Sequence, residues 1–195
     1  MAYRVAVAVS GRGSNLFALV DALAADPAAQ VVLVVSDRPA PALAVAEGRG
    51  IATHRLLDHG SGAQWLRALA ASGADLLVLA GYLRLVPPEV VHALSGRIVN
   101  IHPALLPRHG GPGMYGRRVH EAVLAAGDPM SGATVHLVDE VYDRGAILGQ
   151  VRVPVVAGDT ADALAARVLQ AEHRLLPAAV AAAARVGHPV PFDLD

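Results

Sequence analysis

Short runs of Val, Leu and Ile alternate along this chain with Ala-rich stretches of helical period. Residues 5–9 are wholly apolar and predict a strand; 10–15 form a glycine-bearing turn, and 16–25 read as a helix. The pattern repeats with strands at 31–35, 52–56, 75–80 and 97–101, separated by helices at 41–48, 63–71 and 88–94. Strands with no polar face, interleaved with helices, indicate a parallel sheet covered on both sides. In such sheets ligands sit beyond the carboxyl ends of the strands. The second half departs from this rhythm. After a helix at 119–126, strands at 133–138 and 147–155 are separated only by a polar turn at 139–145, which suits an antiparallel return. Asp159 and Thr160 cap a long Ala/Leu helix running to Ala184, with a break expected near Pro177. The expected fold is one α/β domain over residues 1–195, a Rossmann-like, mixed but mainly parallel sheet flanked by helices, with 187–195 as a surface tail.

Composition narrows the chemistry. The chain has 195 residues, 54% hydrophobic and 17% charged, enough to bury a sizeable core. A formal net charge of -1 without a basic run argues against a nucleic-acid or anionic-membrane surface. There are no cysteines, which removes disulfides, thiolate metal sites and a cysteine nucleophile. The amino-terminal stretch lacks the layout of a signal peptide, and no apolar run approaches the roughly 18 to 20 residues that span a bilayer. These features predict a cytoplasmic, soluble protein. The nine histidines form no tight ligand spacing, so no metal is expected.

Four segments carry polar groups where ligands would lie. Ser10-Gly11-Arg12-Gly13-Ser14-Asn15 follows the first strand and opens a helix, an arrangement that turns backbone amides toward an anion. It is neither a P-loop nor the dinucleotide fingerprint, because Leu16 stands where a third glycine would. Residues 80–88, AGYLRLVPP, offer main-chain polar groups flanked by Leu and Val, suited to a flat ring with polar edges or to packing beneath a helix. Asn100 and His102 are two apart on a strand, so both face one side; an amide donor beside an imidazole can bind a carbonyl oxygen and manage a proton. Asp143, in the 139–145 turn, reads by itself as a turn former, and gains interest only if the fold brings it to His102. His136 reads as a core or sheet-face histidine.

In order and spacing, these segments resemble the folate-dependent formyltransferase family. The resemblance runs through VAVAVSGRGSNL at 5–16, GIATH at 50–54, LVLAGYLRLV at 77–86 and RIVNIHPALLPRHGGPGMYG at 97–116. It continues in GATVHLVDEVYDRGAIL at 132–148, VPVVAGDT at 153–160 and AEH at 171–173. It implies the formyltransferase fold, 10-formyltetrahydrofolate as co-substrate without a metal, and a small phosphorylated ribonucleotide as acceptor. By position, Gly13, Ser14 and Asn15 would hold the phosphate and Glu172 the ribose. Leu83, Arg84, Leu85 and Val86 would line the pterin pocket with Asn100, Asp139 and the rest of the turn to Asp143, and Gly113 to Gly116 would border the acceptor amine. Asn100, His102 and Asp143 match the family's catalytic trio, with Asp143 raising the pKa of His102. The chain departs from some relatives in carrying LDHGSGA at 57–63, without an arginine that reaches the folate tail, and Arg108 where many carry lysine.

The resemblance implies small-molecule partners only, with no nucleic acid and no membrane, and leaves room for a homodimer. Three rivals stand beside it. Another 10-formylfolate-using transferase or hydrolase would share the trio; those acting on transfer RNA or hydrolysing formyl-folate usually carry an extra domain. A nucleotide-binding oxidoreductase would need an acidic ribose ligand after the second strand, where Asp37 is the one candidate. A non-enzymatic nucleotide-binding domain would have no use for the trio.

Overall fold

The computed structural model describes residues 1–194. Seven strands and six helices follow the predicted order: β1 (Tyr3–Val9), α1 (Ser14–Leu23), β2 (Ala29–Ser36), α2 (Pro41–Gly48), β3 (Ala52–Arg55), α3 (Gly62–Ser72), β4 (Leu76–Leu79), α4 (Pro88–Ala93), β5 (Ile98–His102), α5 (Arg117–Ala125), β6 (Met130–Leu137), β7 (Ile147–Pro154) and α6 (Ala161–Val186). They build one sheet in the order β3-β2-β1-β4-β5-β6-β7. β1 to β5 are mutually parallel; β6 is antiparallel to β5, and β7 to β6.

β1 shows why the sheet is covered on both sides. Its residues are apolar without alternation, yet they separate by face. Val5, Val7 and Val9 join the cluster built with α1 and α6, whereas Ala6 and Ala8 join Trp65 of α3 and Val90 and Val91 of α4. The chain winds outward from β1 through β2 to β3, returns to β4, and winds the other way to β5. Strand order therefore reverses between β1 and β4. The loops after those two strands are forced apart there, which opens a crevice for ligands.

Two expectations about the carboxyl-terminal part are corrected. α6 runs unbroken through Pro177 for 26 residues. Proline inside a helix costs about 3 kcal/mol. Leu175, Leu176 and Val180 beside it are fully buried, and each contributes roughly 1.5–3 kcal/mol. Packing on the sheet therefore outweighs the proline. The tail after Gly187 is irregular, as expected, but it is not merely surface coil. The Phe192 amide donates to the Leu148 carbonyl on edge strand β7 (2.9 Å), and Phe192 and Leu194 pack against the core. Gly149 makes room for the ring, since a Cβ there would lie 2.6 Å from Phe192. Phe192→Ala is expected to lower stability by less than the roughly 3–5 kcal/mol of a fully buried Phe, while leaving the unfolding slope in urea unchanged.

Among the described residues no helix is long and apolar enough to cross a membrane.

Candidate active site

The crevice at the switch point is a cleft of about 460 Å³. Every site residue expected from the sequence lines it except Gly13, which shapes its floor from just outside.

The turn after β1 explains one end. Gly13 caps α1 with φ 79°, in the left-handed region that suits glycine, and a Cβ there would lie 2.8 Å from the Cβ of Ala42. No side chain caps the first turn of α1, so its amides remain open toward the cleft beside Ser14 and Asn15. Glu172 reaches the same region from α6. Burial pushes its carboxyl up to about 7, with the neighbouring Asn15 side chain pulling it down. The Asn15 Oδ1 is buried without a hydrogen-bond partner. An anion and hydroxyl-bearing ligand would meet open amides, a hydroxyl, an amide side chain and a carboxyl here.

The loop after β4 forms the other end. Tyr82 is buried edge-on against Trp65, with ring centroids 5.4 Å apart. Ser10 then locks the loop to the sheet: its hydroxyl accepts from the Leu83 amide (3.0 Å) and donates to Asp37 Oδ1 (2.7 Å). Leu83 and Leu85 are left exposed facing the cleft, with Tyr115 and Val141 among the other exposed apolar residues that line it. Large exposed apolar side chains converging on one slot suit a flat ring. Arg84 approaches the same Asp37 carboxylate to 3.6 Å. Asp37 is itself buried and gripped through both oxygens by Arg38. Burial pushes its carboxyl up, but the bonds from Arg38 and Ser10 outweigh that and hold it below the usual carboxylate range. A carboxylate so engaged is not free to take a ribose, which removes the one acidic candidate for a nicotinamide site.

Between the two ends lies the polar centre. Asn100 and His102, on one face of β5, both open onto the cleft, as their spacing predicts. Asp143 reaches them although it is 41 residues beyond His102 in the chain. Its Oδ2 lies 3.7 Å from His102 Nδ1 and accepts from the Gly111 amide (2.8 Å). Its Oδ1 lies 3.4 Å from His136 Nε2. Gly110 permits this approach, since a Cβ there would come within 3.1 Å of the Asp143 Cβ.

Proton positions follow from partners that can only accept. His102 Nε2 lies 2.9 Å from the His109 carbonyl, so that nitrogen carries the hydrogen and Nδ1 turns its lone pair toward Asp143. His136 Nδ1 donates to the Leu137 carbonyl (2.7 Å), so its Nε2 accepts from Asn100 Nδ2 (3.0 Å). This fixes the amide of Asn100 with its second N–H free. The role of His136 was not legible from sequence, because it depends on the β5–β6 register that sets it opposite Asn100. His120 of α5 was missed as well. It lines the cleft, buried, with an unpartnered Nδ1.

The expected rise in the His102 pKa is corrected. Burial lowers it and outweighs the raising effect of Asp143, so the net shift is downward. For Asp143, burial pushes up, but the polar groups around it, with the Gly111 amide donating to Oδ2, outweigh burial and hold it below the usual range. At neutral pH the pair is a neutral imidazole facing a carboxylate. Among the described residues no group of three or more His, Asp or Glu side chains is set to hold a metal ion.

A model of the formyl transferase family matches residues 3–180. The chain is 43% identical over 182 residues to a chloroplastic phosphoribosylglycinamide formyltransferase of Arabidopsis thaliana, covering 88% of this chain and 62% of that one. It is 44% identical over 190 residues to the phosphoribosylglycinamide formyltransferase of Mycobacterium tuberculosis (strain CDC 1551 / Oshkosh), covering 94% and 86%. The crystal structure of phosphoribosylglycinamide formyltransferase from Anaplasma phagocytophilum superposes with a TM-score of 0.88 at 34% identity, over 95% of this chain and 88% of that one.

Proposed function

The chain belongs to the formyl transferase family, and from that premise we propose that it moves the formyl group of 10-formyltetrahydrofolate onto the amine of 5'-phosphoribosylglycinamide. What carries the reading is the meeting of Asn100, His102 and Asp143 midway along one cleft. At one end stand the open amides of Ser14 and Asn15 with Glu172, and at the other the apolar slot of Leu83, Arg84, Leu85 and Val86 with Asp139. Gly13 shapes the phosphate turn, Glu172 takes the ribose, and the slot takes the pterin ring.

Two ligands bound end to end bring the amine to the formyl carbon, and this positioning supplies much of the acceleration. The neutral amine attacks, a C–N bond forms, and the carbonyl π pair moves onto oxygen. The free N–H of Asn100 donates to that oxygen. The attacking nitrogen must then lose a proton and the folate nitrogen must gain one as its bond to carbon breaks. His102, neutral and with its Nδ1 lone pair inward, takes the first proton and returns it to the folate nitrogen. Asp143 keeps the transient imidazolium paired, so no charge is stranded in the buried site.

The test is an absorbance assay of folate deformylation, with each ligand omitted in turn. Product is expected only with both present. Deformylation without the ribonucleotide would mean a hydrolase, and no reaction with both ligands present would remove the reading.

A further inference from the structure

The His109 carbonyl, which fixes the tautomer of His102, is itself held by a cluster outside the cleft. His109 Nε2 lies 2.6 Å from Asp128 Oδ2, and Arg108 lies 2.7 Å from Asp128 Oδ1. The His109 and Asp128 side chains are mostly buried, with 14% and 11% exposed. One carboxylate therefore grips two successive residues of the loop that follows β5. None of the three lines the main cleft; they border a separate cavity of about 220 Å³ with Val123, Met130 and Arg152.

The backbone makes the grip consequential. His109 has φ 55°, in the left-handed region that few non-glycine residues adopt, although histidine does so more readily than most. That conformation aims its carbonyl at His102 and lets Gly110 and Gly111 run on to Asp143. Without a tether on the His109 ring, the residue would relax to negative φ and swing the carbonyl away. His102 would then lose the acceptor that holds its hydrogen on Nε2, and its lone pair would no longer be confined to the Asp143 side.

We propose that Arg108, Asp128 and His109 form a clamp that fixes the ring of His102, with Asp128 as a positioning residue that acts through the loop backbone. Its catalytic importance rests on the function proposed above, but the state of the ring can be read without substrate.

The test uses nitrogen-15 NMR of histidine-labelled protein, with the His102 signal assigned by its loss in His102→Asn. In the unaltered chain, His102 is expected as a single Nε2–H tautomer. Asp128→Asn leaves only one oxygen for two donors, and should move the signal toward the average of two tautomers. It should also lower kcat about tenfold with both KM values little changed; roughly 1 Å of misplacement can cost about 10²-fold. His109→Asn tolerates left-handed backbone but does not reach Asp128, so it provides the same reading should Asp128→Asn fold poorly. An unmoved His102 signal in the folded variants overturns the clamp. A moved signal with normal turnover overturns the positioning role. Failure of formyl transfer in the unaltered chain would strike the proposed function alone, since the signal still reports on the clamp.

Discussion

Asp143→Asn is expected to lower kcat for formyl transfer by about 10²- to 10⁴-fold, the range associated with a group that manages proton transfer. Both KM values should change little. The substitution is close to a pure removal of charge. Asn tolerates the left-handed φ of 55° that Asp143 adopts, and it still offers an oxygen to the Gly111 amide. What disappears is the counter-charge 3.7 Å from His102 Nδ1. The buried imidazolium of the reaction would then be unpaired, which is the costly arrangement. The pH profile tests the cause. Catalysis by the proposed route needs neutral His102, so activity should rise with pH through a group whose pKa lies below the usual histidine value. Asp143 raises that pKa against burial; removing it should push the acid limb to still lower pH, while the limb set by the substrate amine stays put. A limb that stays fixed or moves toward neutrality would sink the assignment. Stability follows its own sign. A carboxylate with a depressed pKa contributes stability above its unfolded value of 3.8, lost as pH falls through the folded one. The unaltered chain should lose that contribution in acid, and the variant should show less of this loss.

Much of this arrangement could be read before the fold was known, and what escaped has a common cause. The parallel half was legible because a strand buried on both faces leaves a continuous apolar run, as in β1 and β4. Asn100 and His102 were legible because strand alternation puts residues two apart on one face. What depended on distant pairing was not. The partnership of Asn100 with His136 exists only through the β5–β6 register. The hold of Asp143 on His102 needs Gly110 to let two loops meet. Pro177 misled for a related reason: local propensity predicts a break, whereas the buried leucines of α6 answer to the sheet beneath them. The direction of the His102 shift failed for lack of burial. A carboxylate neighbour predicts a raised pKa; the depth of the ring reverses it.

Asn100→Ala is expected to cost about 10²- to 10³-fold in kcat, or roughly 2.7–4 kcal/mol, as removal of one donor to a developing oxyanion does elsewhere. The distribution of the loss carries the argument. Asn100 could serve by gripping the folate in its ground state, and its loss would then raise the folate KM with kcat preserved. If its free N–H meets the formyl oxygen only once charge has gathered there, kcat falls and KM barely moves. The geometry favours the second outcome. One N–H of the amide is committed to His136 Nε2, whose other nitrogen is held by the Leu137 carbonyl. The amide is thus aimed by a ring that is itself fixed, and little reorganisation is left for the moment of reaction. The same reasoning predicts that His136→Phe, which keeps the ring but not the acceptor, loses part of the Asn100 effect and adds little when combined with Asn100→Ala. Full additivity of the two substitutions in kcat would mean that the amide is oriented by something other than that histidine.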